Sequence, residues 1–161
     1  PYTSNYAGTL LPGIREYTVT PGEKTTTISG KGKAGLKQEE NYYFFYLPVC
    51  YKGITGKSYA YYNTSRSKNL YLPASVDENY SYDIQLPENL TLCTPIQEKK
   101  IDNPIGSFKI TLTSEGSSLH IELALQIKKQ LITPAEYPAF RSLITEWTDR
   151  TRKPILFKTV Q

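Results

Sequence analysis

Methionine is absent from this 161-residue sequence, and histidine and tryptophan occur once each. A chain with no Met, even at position 1, reads as a piece of a longer protein whose addressing signals lie elsewhere. Only two cysteines are present, Cys50 and Cys93, which allow one disulfide and cannot make a metal site by themselves. No apolar run reaches the roughly 20 residues that a membrane-spanning helix needs, and no signal-peptide pattern opens the chain. Membrane insertion is therefore not expected. Charge of one sign is also thin. The net charge is +4, but the lysines and arginines are dispersed, with the densest groups at Lys31, Lys33 and Lys37 and at Arg150, Arg152 and Lys153. Nucleic-acid binding calls for a basic face interleaved with stacking aromatics, and no such stripe exists, so nucleic acid is not an expected partner.

What the chain has in excess is tyrosine: fourteen, against five Phe and one Trp. Tyr suits half-buried strands and also interaction surfaces. The order of the residues favours strands. Residues 1–13 carry Pro, Gly, Ser and Asn without periodicity and read as a linker or N-terminal arm, leaving 14–161 as a single domain. Turn dipeptides at Pro12-Gly13 and Pro21-Gly22 bracket a short strand over 15–20, and residues 25–29 form another. The run at 41–47, Asn-Tyr-Tyr-Phe-Phe-Tyr-Leu, is aromatic on both faces, as in a strand central to a sheet or covered on its outer face by another domain or a helix. Residues 59–62 predict an edge strand and 70–72 a short one.

Further on the alternation sharpens. Tyr80, Tyr82, Ile84 and Leu86 alternate with polar residues, as do Leu90 with Leu92 and Phe108, Ile110 and Leu112. After the turn at 114–117, Leu119, Ile121, Leu123, Leu125 and Ile127 all point one way, opposite His120, Glu122, Ala124 and Gln126. Period-2 alternation with turns every eight to twelve residues predicts a mostly β, Ig-like antiparallel β-sandwich.

One helix is expected, near the C-terminus and packed on the sandwich. Thr133 followed by Glu136 is a capping box, and Pro134 suits the first helical position. Tyr137, Phe140, Leu143, Ile144 and Trp147 recur at helical spacing. Burying the five contributes roughly 8–15 kcal/mol gross, an upper bound set by the extended-chain reference. Pro138 disfavours helical geometry at Tyr137, so the pattern predicts a capped turn over 133–136 and a regular helix from about Pro138. Residues 155–157 return as a last strand.

Chemistry-bearing patterns are few. Gly30-Lys31-Gly32-Lys33-Ala34-Gly35 matches a dinucleotide fingerprint in letters, yet only five residues follow before the next strand, too few for the helix that would hold a pyrophosphate. No cofactor is expected. Cys93 and His120 both fall on polar strand faces, so a thiol–imidazole pair is conceivable if those strands meet. Neither Cys sits at a strand-to-helix turn that would lower its pKa. The expectation is no catalytic residue, no cofactor-binding residue and no metal ligand. Tyr59, Tyr61 and Tyr62, in the predicted edge strand, are the candidates for contacting a glycan or peptide ligand.

Several segments resemble a known family. These are Arg66 ahead of Leu70-Tyr71-Leu72-Pro73, then Tyr82-Asp83-Ile84-Gln85-Leu86-Pro87, and Asn103-Pro104-Ile105-Gly106-Ser107-Phe108. They continue with the Thr-Pro-Ala-Glu-Tyr-Pro-Ala-Phe-Arg run over 133–141, Trp147, and Ile155-Leu156-Phe157-Lys158. Together they are similar to the domain of unknown function that follows the transglutaminase-like, protease-like core of certain bacterial extracytoplasmic proteins. The likeness covers about 66–158, with the aromatic run upstream also fitting. It implies a non-catalytic accessory or structural domain C-terminal to such a core, with the upstream domains of the parent chain as its partners. It further implies a periplasmic, secreted or membrane-anchored parent, and an oxidising compartment for the cysteines. A free-standing carbohydrate- or peptide-binding sandwich is the alternative. The core's Cys and His motifs have no counterpart here, so no catalytic residue is carried over.

Overall fold

The computed structural model describes residues 14–22, 26–33, 35–47, 54, 65–149 and 154–160. The expected arm at 1–13, Cys50, the expected edge strand with Tyr59, Tyr61 and Tyr62, and the group Arg150, Arg152 and Lys153 lie outside the described residues.

The largest element is a four-stranded antiparallel sheet in the order β6-β10-β9-β8. It comprises β6 (Val76–Gln85), β8 (Gln97–Asn103), β9 (Gly106–Glu115) and β10 (Ser118–Ile127). Alternation dictates its two faces: Leu119, Ile121, Leu123, Leu125 and Ile127 are buried, while His120, Glu122, Ala124 and Gln126 are only half-buried. β9 and β10 join through Gly116, whose φ of 58° suits glycine in a tight hairpin.

A second antiparallel sheet runs β3-β4-β12-β7, built from β3 (Lys37–Glu39), β4 (Tyr42–Tyr46), β7 (Leu90–Leu92) and β12 (Pro154–Thr159). It faces one half of the large sheet. Leu47, Ile155 and Phe157 from its side pack with Leu86, Leu112, Leu119 and Ile121 from the other. The remaining half of the large sheet is covered by α1 (Tyr137–Thr148). There Phe140, Leu143, Ile144 and Trp147 pack on Phe108, Ile110, Leu123, Leu125 and Ile127. The apolar row of β10 thus serves two cores in series, one sheet-on-sheet and one helix-on-sheet. The result is a mostly β, sandwich-like fold with a single helix near the C-terminus among the described residues, as the patterning predicts.

The helix begins as its sequence dictates. The Glu136 N–H donates to Thr133 Oγ1 at 3.3 Å, and the Thr133 N–H and hydroxyl both donate to Glu136 Oε2 at 3.0 Å. This reciprocal box closes the turn at 133–136, and regular helix follows from Tyr137, with Pro138 where its missing N–H costs nothing. All five residues of the predicted stripe are buried.

The turn from β8 to β9 is held by Asn103. Its Oδ1 accepts from the N–H of Ile105 at 2.9 Å and of Gly106 at 3.3 Å, and its Nδ2 donates to the Ala139 carbonyl at 3.1 Å. One side chain therefore shapes the hairpin and ties it to the helix. Two short pieces, β5 (Leu70–Tyr71) and β11 (Leu131–Ile132), pair antiparallel beside this core. A hairpin of β1 (Ile14–Pro21) and β2 (Thr26–Gly32) pairs only with itself, and none of its described side chains is buried.

Candidate functional site

Cys93 and His120, the thiol and imidazole weighed as a pair, sit in different sheets. His120 is in β10, between β6 and β9, whereas Cys93 follows β7, where its N–H donates to the Leu156 carbonyl of β12. The Cys93 thiol is free, half-buried, and turned toward the Thr91 carbonyl at 4.0 Å. Both imidazole nitrogens are engaged by carboxylates: Nδ1 lies 2.7 Å from Asp83 Oδ1 and Nε2 3.5 Å from Glu122 Oε1. Glu122 in turn holds Lys109 Nζ at 2.7 Å.

These partners have electrostatic consequences. Hydrogen bonds donated to Asp83 first and then to Glu122 hold the His120 pKa above its ordinary 6.5. Lys109 and then His120 hold Glu122 below the usual carboxylate range. A general base needs one ring nitrogen turned to a nucleophile. Here both are occupied on an open sheet face, and the arrangement is a charge ladder across adjacent strands.

The glycine run lies where the sequence places it. Gly30 and Gly32 are strand residues of β2, opposite Tyr17 and Ile14 of β1. Among the described residues no group of three His, Cys, Asp or Glu could hold a metal ion, and no helix is long and apolar enough to cross a membrane.

The feature best suited to contact another molecule is the outer face of the second sheet. In β4 every residue is aromatic, and the pairing of β4 with β12 decides which rings go in. Phe45 opposite Ile155, and Tyr43 opposite Phe157, turn toward the core. Tyr42, Phe44 and Tyr46 therefore line the other face, beside Leu156 of β12 and Lys37 of β3. Tyr42 is 46% exposed and Tyr46 52%. The helix covers the large sheet, so it does not cap these rings; β4 is flanked by β3 and β12, the first of the arrangements its composition allowed.

The rings are ordered among themselves. Phe44 and Tyr46 meet edge to face, with centroids 5.6 Å apart and planes at 88°, and Lys37 Nζ lies 5.6 Å from the Tyr46 centroid. A flat sugar stacks on rings that lie parallel to the surface. Perpendicular rings make a corrugated apolar surface instead, which suits interdigitating protein side chains.

Fold and surface together define a β-rich, sandwich-like domain with an aromatic outer sheet face. Residues 41–157 match the family model DUF3858, described as a domain of unknown function with a solved structure, and the chain belongs to that family. The matched segment opens at the aromatic strand, upstream of the 66–158 stretch that carries most of the resemblance. A crystal structure described as a "putative protease" from Parabacteroides distasonis ATCC 8503 shares 31% identity with it, at a TM-score of 0.65. The superposition covers 76% of this chain but only 24% of that one, so this chain spans about a quarter of that protein's length. No curated protein matches the sequence.

Proposed function

We propose that this chain is a non-catalytic accessory domain of a longer, transglutaminase-like protein. In this reading it docks on the catalytic part through the outer face of β3-β4-β12-β7. The observation that carries the reading is the row Tyr42, Phe44 and Tyr46, two of whose rings stand about half exposed on one sheet face. Scattered exposed aromatics are ordinary, but a contiguous row flanked by Leu156 and edged by Lys37 has the make-up of an interface core with a polar rim. The likeness to a quarter of a much longer protein described as a putative protease supports the same reading. The separation of Cys93 from His120 argues against a thiol–imidazole pair built from those two residues. A bacterial extracytoplasmic parent, with upstream domains of the same chain as partners, belongs to this proposal. Tyr42 and Tyr46 keep a second reading in play, a carbohydrate- or peptide-binding module; the perpendicular packing of Phe44 on Tyr46 favours docking over sugar stacking.

The experiment is a deletion in the complete protein. The cut must precede β3, because a cut at Arg66 would leave β3 and β4 without β12. The proposal expects the shortened protein to lose solubility, thermal stability or activity. A shortened protein equal to the full one in all three would transfer the argument to the binding module.

A further inference from the structure

A second surface, distant in kind from the aromatic face, lies along α1. It is an open groove of about 570 Å³ lined by Arg66, Pro134, Tyr137, Pro138, Arg141 and, at its far end, Glu146. Arg66 is fixed in a particular way. Its guanidinium carbon lies over the Tyr137 ring, 5.6 Å from the centroid, and Tyr137 is itself buried in the helix-on-sheet core. A guanidinium held over a ring keeps its N–H donors at the edges of its plane, where a carboxylate can meet them two at a time. The Arg66 Nε is buried and meets no hydrogen-bond acceptor among the described residues.

Neither Arg66 nor Arg141 forms an ion pair among the described residues. The one acid in the groove, Glu146, is already held by Lys99 Nζ at 2.5 Å. Among the described residues the groove therefore offers two cations without an ion-pair partner, beside the exposed Pro134 and Pro138.

We propose that this groove binds an acidic peptide segment, with a Glu or Asp carboxylate seated on Arg66 and a second one on Arg141. Three features favour a peptide. The volume falls within the ~300–1,000 Å³ typical of ligand clefts, room for a few residues. The exposed Pro134 and Pro138 give apolar contact to the chain between the carboxylates. Nucleic acid would need a longer cationic track, and the Glu146 end of the groove opposes a run of phosphates.

The test uses the 161-residue chain labelled with ¹⁵N, observing the arginine Nε–H signals directly. The probe is an N-acetylated, C-amidated hexapeptide Gly-Leu-Glu-Asp-Leu-Gly; its Gln-Asn counterpart and inorganic phosphate are run in parallel. The proposal expects saturable shifts of the Arg66 and Arg141 signals with the acidic peptide, weakened at higher salt, and at least about tenfold weaker binding of the amide counterpart. Arg66→Lys keeps the charge and loses the planar fork, so it too should weaken binding about tenfold or more. Arg141→Gln, at an exposed position, gives the same readout if the Arg66 variant does not fold. Equal binding of both peptides, no shift at millimolar peptide, unchanged binding in both variants, or tighter binding of phosphate than of the peptide would each overturn the proposal. None of these results bears on the aromatic face, whose residues are different.

Discussion

Replacing Trp147 with Ala is the most informative perturbation of the fold, because this one ring joins the helix to both the sheet floor and its flank. Trp147 is 4% exposed. It packs against Tyr80 of β6 at 5.8 Å between centroids and meets Phe108 of β9 edge-on at 6.5 Å. An indole buries about 200 Å², worth ~5 kcal/mol at ~25 cal/mol per Å². Retention of the β-carbon and residual compaction of the unfolded chain bring that to ~3–4 kcal/mol. The two lost ring contacts add ~0.5–1.5 kcal/mol each, and the better helix propensity of Ala returns ~0.5 kcal/mol. These terms sum to ~3.5–6.5 kcal/mol, and the lower part of that span, ~3.5–5 kcal/mol, falls within the range seen on emptying a core aromatic site. Trp147 is the only tryptophan, so the variant has no indole fluorescence to follow. Urea unfolding read by circular dichroism is the right assay, with Trp147→Phe expected to recover part of the loss. A Trp147→Ala protein within about 0.5 kcal/mol of wild type would show that α1 is not docked on β6 and β9 as described.

Other expectations follow from single contacts. A β-carbon on Gly106 would stand 1.8 Å from the Gln126 carbonyl oxygen across the β9–β10 ladder. Gly106→Ala should therefore cost at least the ~1–3 kcal/mol of an overpacked site, and a variant as stable as wild type in urea would contradict that close approach. Thr133→Ala, which opens the capping box, should cost ~1 kcal/mol by the same measurement. The Glu136 carboxyl is held down at about 2 by the Lys129 ammonium first and then by the Thr133 N–H and hydroxyl. A depressed folded-state pKa gives a contribution that is full above the ordinary 4.5 and disappears as pH falls through about 2. The melting temperature of Glu136→Gln should thus lag wild type at pH 6 and converge with it near pH 2, and a lag constant over that range would refute the assignment. Alkylation without reductant followed by mass spectrometry should label Cys93; failure to label it except after reduction would reveal a disulfide.

Much of this architecture is written locally. β10 carries five apolar residues at strict period two, and α1 carries five at helical spacing behind a capping box, so both elements and their buried faces follow from one-dimensional pattern. The strand β8 does not announce itself. Gln97-Glu98-Lys99-Lys100-Ile101-Asp102-Asn103 has one apolar residue, because it is an edge strand paired with β9 alone and its charges guard that edge. β5 and β11, two residues each, are too short to carry any periodicity.

The candidate surface was half visible. The β4 run marks itself as unusual, but with an aromatic at every position alternation cannot say which rings face out. Pairing with β12, more than a hundred residues away, makes that choice. The same non-local pairing decides that Cys93 and His120 do not meet. Local sequence places each on a polar face and is silent on which strands become neighbours. The groove at Arg66 and Arg141 joins residues seventy-five positions apart, and no spacing rule could have linked them.

The central claim is that the outer face of β4 is covered in the complete protein. Hydroxyl-radical footprinting tests it at the residues concerned, by comparing oxidation of Tyr42, Phe44 and Tyr46 in this chain alone and in the complete protein. Tyr71, also exposed but on β5, serves as the internal reference. The account predicts that Tyr42 and Tyr46 are labelled several-fold less in the complete protein while Tyr71 is unchanged. Equal labelling of Tyr42 and Tyr46 in the two forms would contradict it.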